Sequence, residues 1–277
     1  MRSQAEKAEE FRGLHHGKIL ILPNAWDVPS ARVFEEAGFT AVATSSAGMM
    51  VSLGYPDGEV IGIEKFVTAI GRIARALTVP LSADVVGGFG TTPDEVAASV
   101  KKVIGAGAIG VNIEDFVHET KRLLPVEEQL ARLRAVKGLR ESLRVPFVIN
   151  ARTDAFRFAQ GDEKARLEEA VRRGVAYRDL GVDCVYPMGL IDAASISAYV
   201  KALDFPINVM VRKGLPPVAE LERLGVARLS FGPSASYAAM GLLRRASKEV
   251  LEMGTYEALV DGAITFDELN ALAVQKK

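Results

Sequence analysis

Two acids in this chain each close a short apolar run: Asp84 ends PLSAD and Glu114 ends IGVNIE. If both runs are neighbouring strands of one sheet, the carboxylates converge on one cavity, where they repel unless a cation or a proton stands between them. Oxygen donors without histidine or cysteine select a hard ion, Mg2+ or Mn2+, which keeps waters and recruits substrate oxygens. Asp57, in the loop GYPDGE, is a candidate third acid. Arg152, just after FVIN, carries a guanidinium able to grip a carboxylate or phosphonate through two parallel hydrogen bonds. The bland alternative for the same residues is a buried ion pair of Arg152 with Asp84 and Glu114. Glycines at 87, 88 and 90 leave a loop free of side chains beside the acids.

Other polar residues fall at comparable places: Asn24 with Trp26 and Asp27, Ser45 and Ser46, Asn150 with Asp154, Tyr186, Asn208 and Arg212. Asp27 and Asp154 read as helix caps or ion-pair partners, and Trp26 as a pocket wall or a packed aromatic. His15 and His16 precede the first strand and read as solvated at the far end. His118, four residues after Glu114 in a loop, can reach the mouth. Cys184, among apolar neighbours, reads as core.

The elements that must position these groups recur regularly. Eight apolar runs start at 19, 40, 80, 109, 146, 182, 206 and 226, a mean spacing near that of a βαβ unit. Between them lie helix signals. Thr92-Pro93-Asp94-Glu95 is a capping box with proline at the first helical position. In DEKARLEEAVRRGVAYRDLG, Leu167, Val171 and Val175 share a face, with Glu168/Arg172 and Glu169/Arg173 paired on another. Four helices end in a glycine that leads straight into a strand, as in DLGVDCVYP and RLGVARLSF.

Eight such units predict one (β/α)8 TIM barrel, with a doubly wound open sheet as the competitor. The expected domain is 1–277, with the barrel at about 17–250 and a helical extension at 251–277. A second capping box, Thr265-Phe-Asp-Glu268, begins a helix in that extension, which is placed to pack on a partner subunit. In a barrel the strand C-termini carry the chemistry, and the candidate polar residues collect there.

Composition narrows the function. The 277 residues carry 34 Lys plus Arg against 35 Asp plus Glu, so no basic field awaits nucleic acid. One cysteine excludes an internal disulfide framework and a cysteine-built zinc site. No apolar run is long enough to span a bilayer, and MRSQAEKAEEF is too charged for a signal peptide. The expectation is a cytoplasmic enzyme with no membrane or nucleic-acid partner.

Read in order, LPNAWDVPSARVFEEAGFTAVATSSAG, SLGYPDGE, SADVVGGFG, VNIEDF and INARTDAF resemble the isocitrate lyase and phosphoenolpyruvate mutase superfamily, from about Ile19 to Met240. The resemblance implies a barrel, usually a homotetramer with C-terminal helices exchanged between subunits. It also implies a magnesium-held 2-oxo acid whose bond to carbon or phosphorus breaks through an enolate. By position, Asp57, Asp84 and Glu114 match acids that hold the metal directly or through water. Ser45, Ser46 and the amides around Ala47 and Gly48 match the segment that seats the substrate, and Arg152 matches the anion-binding arginine. Asn150, Asn208 and Trp26 complete the expected pocket.

Two departures mark a divergent branch. Val86 stands where relatives carry a second acid two residues beyond Asp84. The loop EDFVHETKRLLPVEE has Leu123 and Leu124 where lyases have cysteine and glycine, and leucine cannot protonate an enolate. The leading expectation is metal-assisted cleavage of a carbon–carbon bond in a small 2-oxo or 2-hydroxy carboxylate resembling oxaloacetate. The alternatives are phosphonomutase or other carbon–phosphorus chemistry, and a barrel that binds a metabolite without turning it over.

Overall fold

The computed structural model describes residues 2–273. Each apolar run becomes a strand: β1 (Leu20–Leu22, continued by Asn24–Ala25), β2 (Val42–Thr44), β3 (Leu81–Asp84), β4 (Gly110–Glu114), β5 (Val148–Thr153), β6 (Cys184–Pro187), β7 (Asn208–Met210) and β8 (Arg228–Ser230). Pro23 splits β1 because it has no N–H for the ladder, though its carbonyl still accepts from Ala43 N–H at 2.8 Å. All neighbours pair in parallel. A single bridge, Val185 to Ile207, joins β6 to the start of β7, and β8 pairs back onto β1 through Leu20 and Arg228. That return closes the barrel and removes the open-sheet competitor.

The helix signals act as expected. Thr92 Oγ1 accepts from Glu95 N–H while Glu95 accepts from Thr92 N–H, which starts the helix Pro93–Gly105. Gly181 ends the helix Glu163–Leu180 at φ 86, a left-handed turn that a side chain would strain. The buried face of that helix differs from expectation: Ala170, Arg173, Gly174 and Tyr177 point inward, and Leu167, Val171 and Val175 flank them half-buried. The reason is polar, since Arg173 and Tyr177 reach in to bind Asp115. Glu169 accordingly takes both Arg172 and Arg173, and no Glu168–Arg172 pair forms.

The helix Gln4–Gly13 covers the strand N-termini, burying Ala8 and Phe11. The Gln4 side chain donates to the carbonyls of Ile104 and Ala108, and Arg12 donates to that of Pro146. His15 lies under this cover, which corrects the expectation that it is solvated; it is 3% exposed, with Nδ1 2.9 Å from Phe11 O and its ring edge-on to Phe11. His16 is exposed. Cys184 is fully buried, and burial pushes its thiol up to about 12, as a core role requires.

After the barrel come helices Ser234–Met253, Glu257–Val260 and Phe266–Ala273. The first runs past the expected boundary at 251. The last returns to its own barrel, where Arg32 Nε donates to Leu272 O at 3.0 Å and Leu272 is buried. Thr265 and Glu268 form the expected reciprocal cap. No described helix is long and apolar enough to cross a membrane.

Candidate active site

Strand alternation sends every second side chain into the barrel, so Asn112 and Glu114 of β4 face inward with Asn150 and Arg152 of β5. The register sets these pairs side by side, Asn112 with Asn150 and Glu114 with Arg152, and puts Asp84 beside Asn112. Above them a cavity of about 570 Å³ opens at the strand C-termini.

Asp84 is held from two sides. Its Oδ2 accepts from Ser46 Oγ at 2.7 Å and Ser46 N–H at 3.2 Å, and its Oδ1 accepts from Asn112 Nδ2 at 2.9 Å. Asn112 in turn accepts from Asn150 Nδ2 at 2.8 Å. Ser45 caps the helix Ser46–Ser52 by accepting from Gly48 N–H, so its hydroxyl has a structural task. Ser45, Ser46, Ala47 and Asp57 line the cavity with Asp84. Burial first, and then the negative charge of Asp84, raise the Asp57 carboxyl above its ordinary range.

Glu114 is not on the wall. It is 2% exposed, and the groups in front of it are His118, whose Nε2 is 2.6 Å from Oε1, and Arg152, whose Nη1 is 2.7 Å from Oε2. The expected buried ion pair therefore forms for Glu114, whereas Asp84 stays clear of Arg152. Burial lifts the Glu114 carboxyl despite the pull of Arg152 and His118, and the Glu114 hydrogen bond holds His118 above its usual value. Arg152 also donates from Nε and Nη2 to Asp154, at 2.6 and 3.0 Å. Burial opposes its charge, but Asp154 and Glu114 outweigh that and keep it firmly protonated. Its guanidinium lies 5.7 Å from the centroid of Tyr186.

Behind this wall, Asp115 anchors the supports. It accepts from Thr153 Oγ1, Arg173 Nη1, Tyr177 OH and Asp154 N–H, all within 2.8–2.9 Å. Asp27 caps a helix through Ser30 N–H, and Asp154 is an ion-pair partner, the two tasks expected of them.

Asn150, Asn208, Tyr186 and Arg212 reach the cavity, as does His118. Trp26 and Gly48 are not among the lining residues; Gly48 packs so closely on Trp26 that a Cβ there would lie 2.9 Å from the Trp26 Cβ. Asn112, Lys121 and Arg228 also line it; Asn112 and Arg228 escaped the sequence reading. Arg228 sits inside an apolar run, but with Ser230 it marks the inward face of β8, a signal that alternation offers. A second cavity of about 770 Å³ shares Asp57, Phe116 and His118 with the first and includes Glu59, Val86 and Arg132.

The sequence profile of the phosphoenolpyruvate phosphomutase family matches residues 11–251. The 2-methylisocitrate lyase of Escherichia coli is 30% identical, covering 86% of this chain and 82% of its own. The 2,3-dimethylmalate lyase of Eubacterium barkeri is 30% identical, with 92% and 89% covered. Among solved structures, oxaloacetate acetylhydrolase in complex with the product oxalate aligns with a TM-score of 0.85 at 27% identity, over 98% of this chain and 95% of that one. With the closed parallel barrel and the acids at its mouth, these likenesses settle the family: the chain belongs to the phosphoenolpyruvate mutase/isocitrate lyase superfamily.

Proposed function

We propose that this enzyme cleaves a carbon–carbon bond of a small 2-oxo or 2-hydroxy carboxylate, an oxaloacetate-like acid, with the help of a divalent metal. One observation carries the reading: Asp84 and Asp57 line one cavity with each other and with Arg152, Lys121 and Arg212. Acids for a cation thus stand beside cations for an anion. The lyase relatives support the same bond type, and the reading as a barrel that binds without turnover is set aside.

The donor set fits Mg2+ or Mn2+. Among the described residues no cluster of three or more His, Cys, Asp or Glu is placed to hold a metal. An Asp57 carboxyl raised by burial and by the negative charge of Asp84 suits an ion that keeps most of its waters. Asp84 and Asp57 would hold it, with Glu114 behind. When bound, the ion supplies positive charge for an enolate oxygen.

The chain's own residues have separable tasks. Ser46 and Asn112 fix Asp84. Arg152, oriented by Asp154 and Glu114, presents its remaining N–H groups to the substrate's anion, and Ser45, Ala47, Asn150 and Asn208 shape the seat around it. Gly48 and Trp26 back the helix that carries Ser46. His118, in the loop whose leucines replace the lyase acid, is placed to hand over a proton.

Phosphonomutase chemistry is the second reading, favoured by the matched profile and by the extra cations Lys121 and Arg212, which suit a phosphonate. The protein acts as a homo-oligomer, a dimer or tetramer, in the cytoplasm; the exposed Leu251, Met253 and Phe266 of its C-terminal helices support the first, and its buried free Cys184 supports the second.

Calorimetric titration of Mg2+ with and without oxalate, a mimic of the pyruvate enolate, tests the proposal. Metal-dependent oxalate binding that is lost in Asp84→Asn is expected; oxalate binding indifferent to metal overturns it. Phosphorus NMR on phosphonopyruvate separates the two readings.

A further inference from the structure

Arg228 is the first residue of β8 and lies beneath the groups described above. It is 2% exposed yet lines the cavity, and its guanidinium carbon is 6.0 Å from the ring centroid of Phe11, which belongs to the helix covering the strand N-termini. The guanidinium therefore stands between that cover and the cavity, at the cavity floor.

No carboxylate pairs with Arg228 among the described residues, and its Nε and Nη1 are buried without a hydrogen-bond partner. Arginine does not shed its proton in a protein, and an uncompensated buried charge is strongly disfavoured. Other buried guanidinium groups around the site are partnered: Arg152 has Glu114 and Asp154, Arg173 has Asp115 and Glu169, and Arg132 donates to the carbonyls of Gly87 and Thr91.

The neighbours of Arg228 add a second sign. Asn208, its register partner on β7, keeps Oδ1 buried and unpaired, and Asn150, farther round the same cavity, does too. Orphan donors and orphan acceptors at one floor call for a guest that accepts from the guanidinium, with water or a hydroxyl donating to the amides.

The geometry points to a small-anion seat at the cavity floor, built on Arg228 with its register partner Asn208 beside it, that takes one carboxylate group or one halide ion. The seat is separate from the acids Asp84 and Asp57, and its presence does not depend on the metal chemistry proposed above. A carboxylate seated there would belong to the end of the substrate that enters first. An acid with a carboxylate at each end then spans from the floor to the mouth.

Bromide is the probe. In crystals soaked in sodium bromide, an anomalous peak beside the Arg228 guanidinium is expected in the wild type and none in Arg228→Met. In solution, bromide at fixed ionic strength should raise Tm by roughly 2–4 °C in the wild type and leave Arg228→Met unmoved. Methionine removes the buried charge while keeping bulk, and Arg228→Lys, which retains a cation, should restore part of the bromide shift. Formate added to the soak distinguishes the sources: displacement of bromide assigns the seat to carboxylates, and persistence assigns it to halide. A wild-type floor that holds only water in bromide, or an equal bromide shift in Arg228→Met, overturns the proposal.

Discussion

Arg152 Nη1 lies 2.7 Å from Glu114 Oε2, and the two residues are register partners on adjacent strands, so the barrel ladder itself sets their contact. Removing the guanidinium leaves Glu114 and Asp154 buried without their cation, at a cost of about 3–5 kcal/mol. Arg152→Ala should therefore lower Tm and reduce kcat/KM at least tenfold, ~1.4 kcal/mol in transition-state terms. Arg152→Lys keeps charge but loses the fork, and should lose activity with a smaller drop in Tm. Melting curves and steady-state kinetics on the two variants check this; wild-type kcat/KM in Arg152→Ala removes the substrate role.

His118 reaches the cavity and bonds Glu114, yet it is half-buried and belongs to a loop. His118→Gln keeps a hydrogen bond to Glu114 but cannot deliver a proton. Its kcat should fall roughly 10²-fold with KM changed far less. An equal loss in both constants points to positioning instead.

Val86 has φ 55, a left-handed backbone that a β-branched side chain tolerates poorly, at about 1–2 kcal/mol. Aspartate is better suited to that conformation and adds a carboxylate two residues beyond Asp84. Val86→Asp should tighten Mg2+ binding about tenfold by calorimetry, ~1.4 kcal/mol, while Tm stays within about 2 °C of the wild type. Unchanged affinity would show that the added acid does not reach the ion.

His15 gives the fold a pH dependence. Burial first, then the charge of Arg228, lower its pKa from 6.5 to about 3. Below 6.5 the unfolded chain takes up a proton that the folded chain excludes. The contribution of neutral His15 is thus full above that pH and is lost as pH falls toward 3, by up to about 1.4 kcal/mol per unit. Glu114, whose carboxyl burial raises, titrates with the opposite sign in the same range, so the comparison with His15→Leu isolates the effect: in urea melts between pH 7.5 and 5 the wild type should lose stability relative to His15→Leu as pH falls.

Much of this was legible in the chain itself. Branched apolar runs at βαβ spacing and glycines at helix ends announce eight units, because local propensity and barrel geometry agree there. Thr92 and Glu95 announce a helix start for the same reason. Pairing across strands was less legible. Asp84 and Glu114 look alike in sequence, but register gives Glu114 an arginine neighbour and Asp84 an asparagine. Arg228 hides in an apolar run since only its face, not its neighbours, reveals it. His15 was misread because its burial depends on a helix that folds over the strand starts, a contact no local pattern encodes.

That covering helix, Gln4–Gly13, lies at the opposite end of the barrel from the cavity mouth. A sensor surface or resin that captures the molecule beside Ser3 would leave the mouth facing the flowing solution. Immobilisation for ligand screening is therefore best anchored at that end.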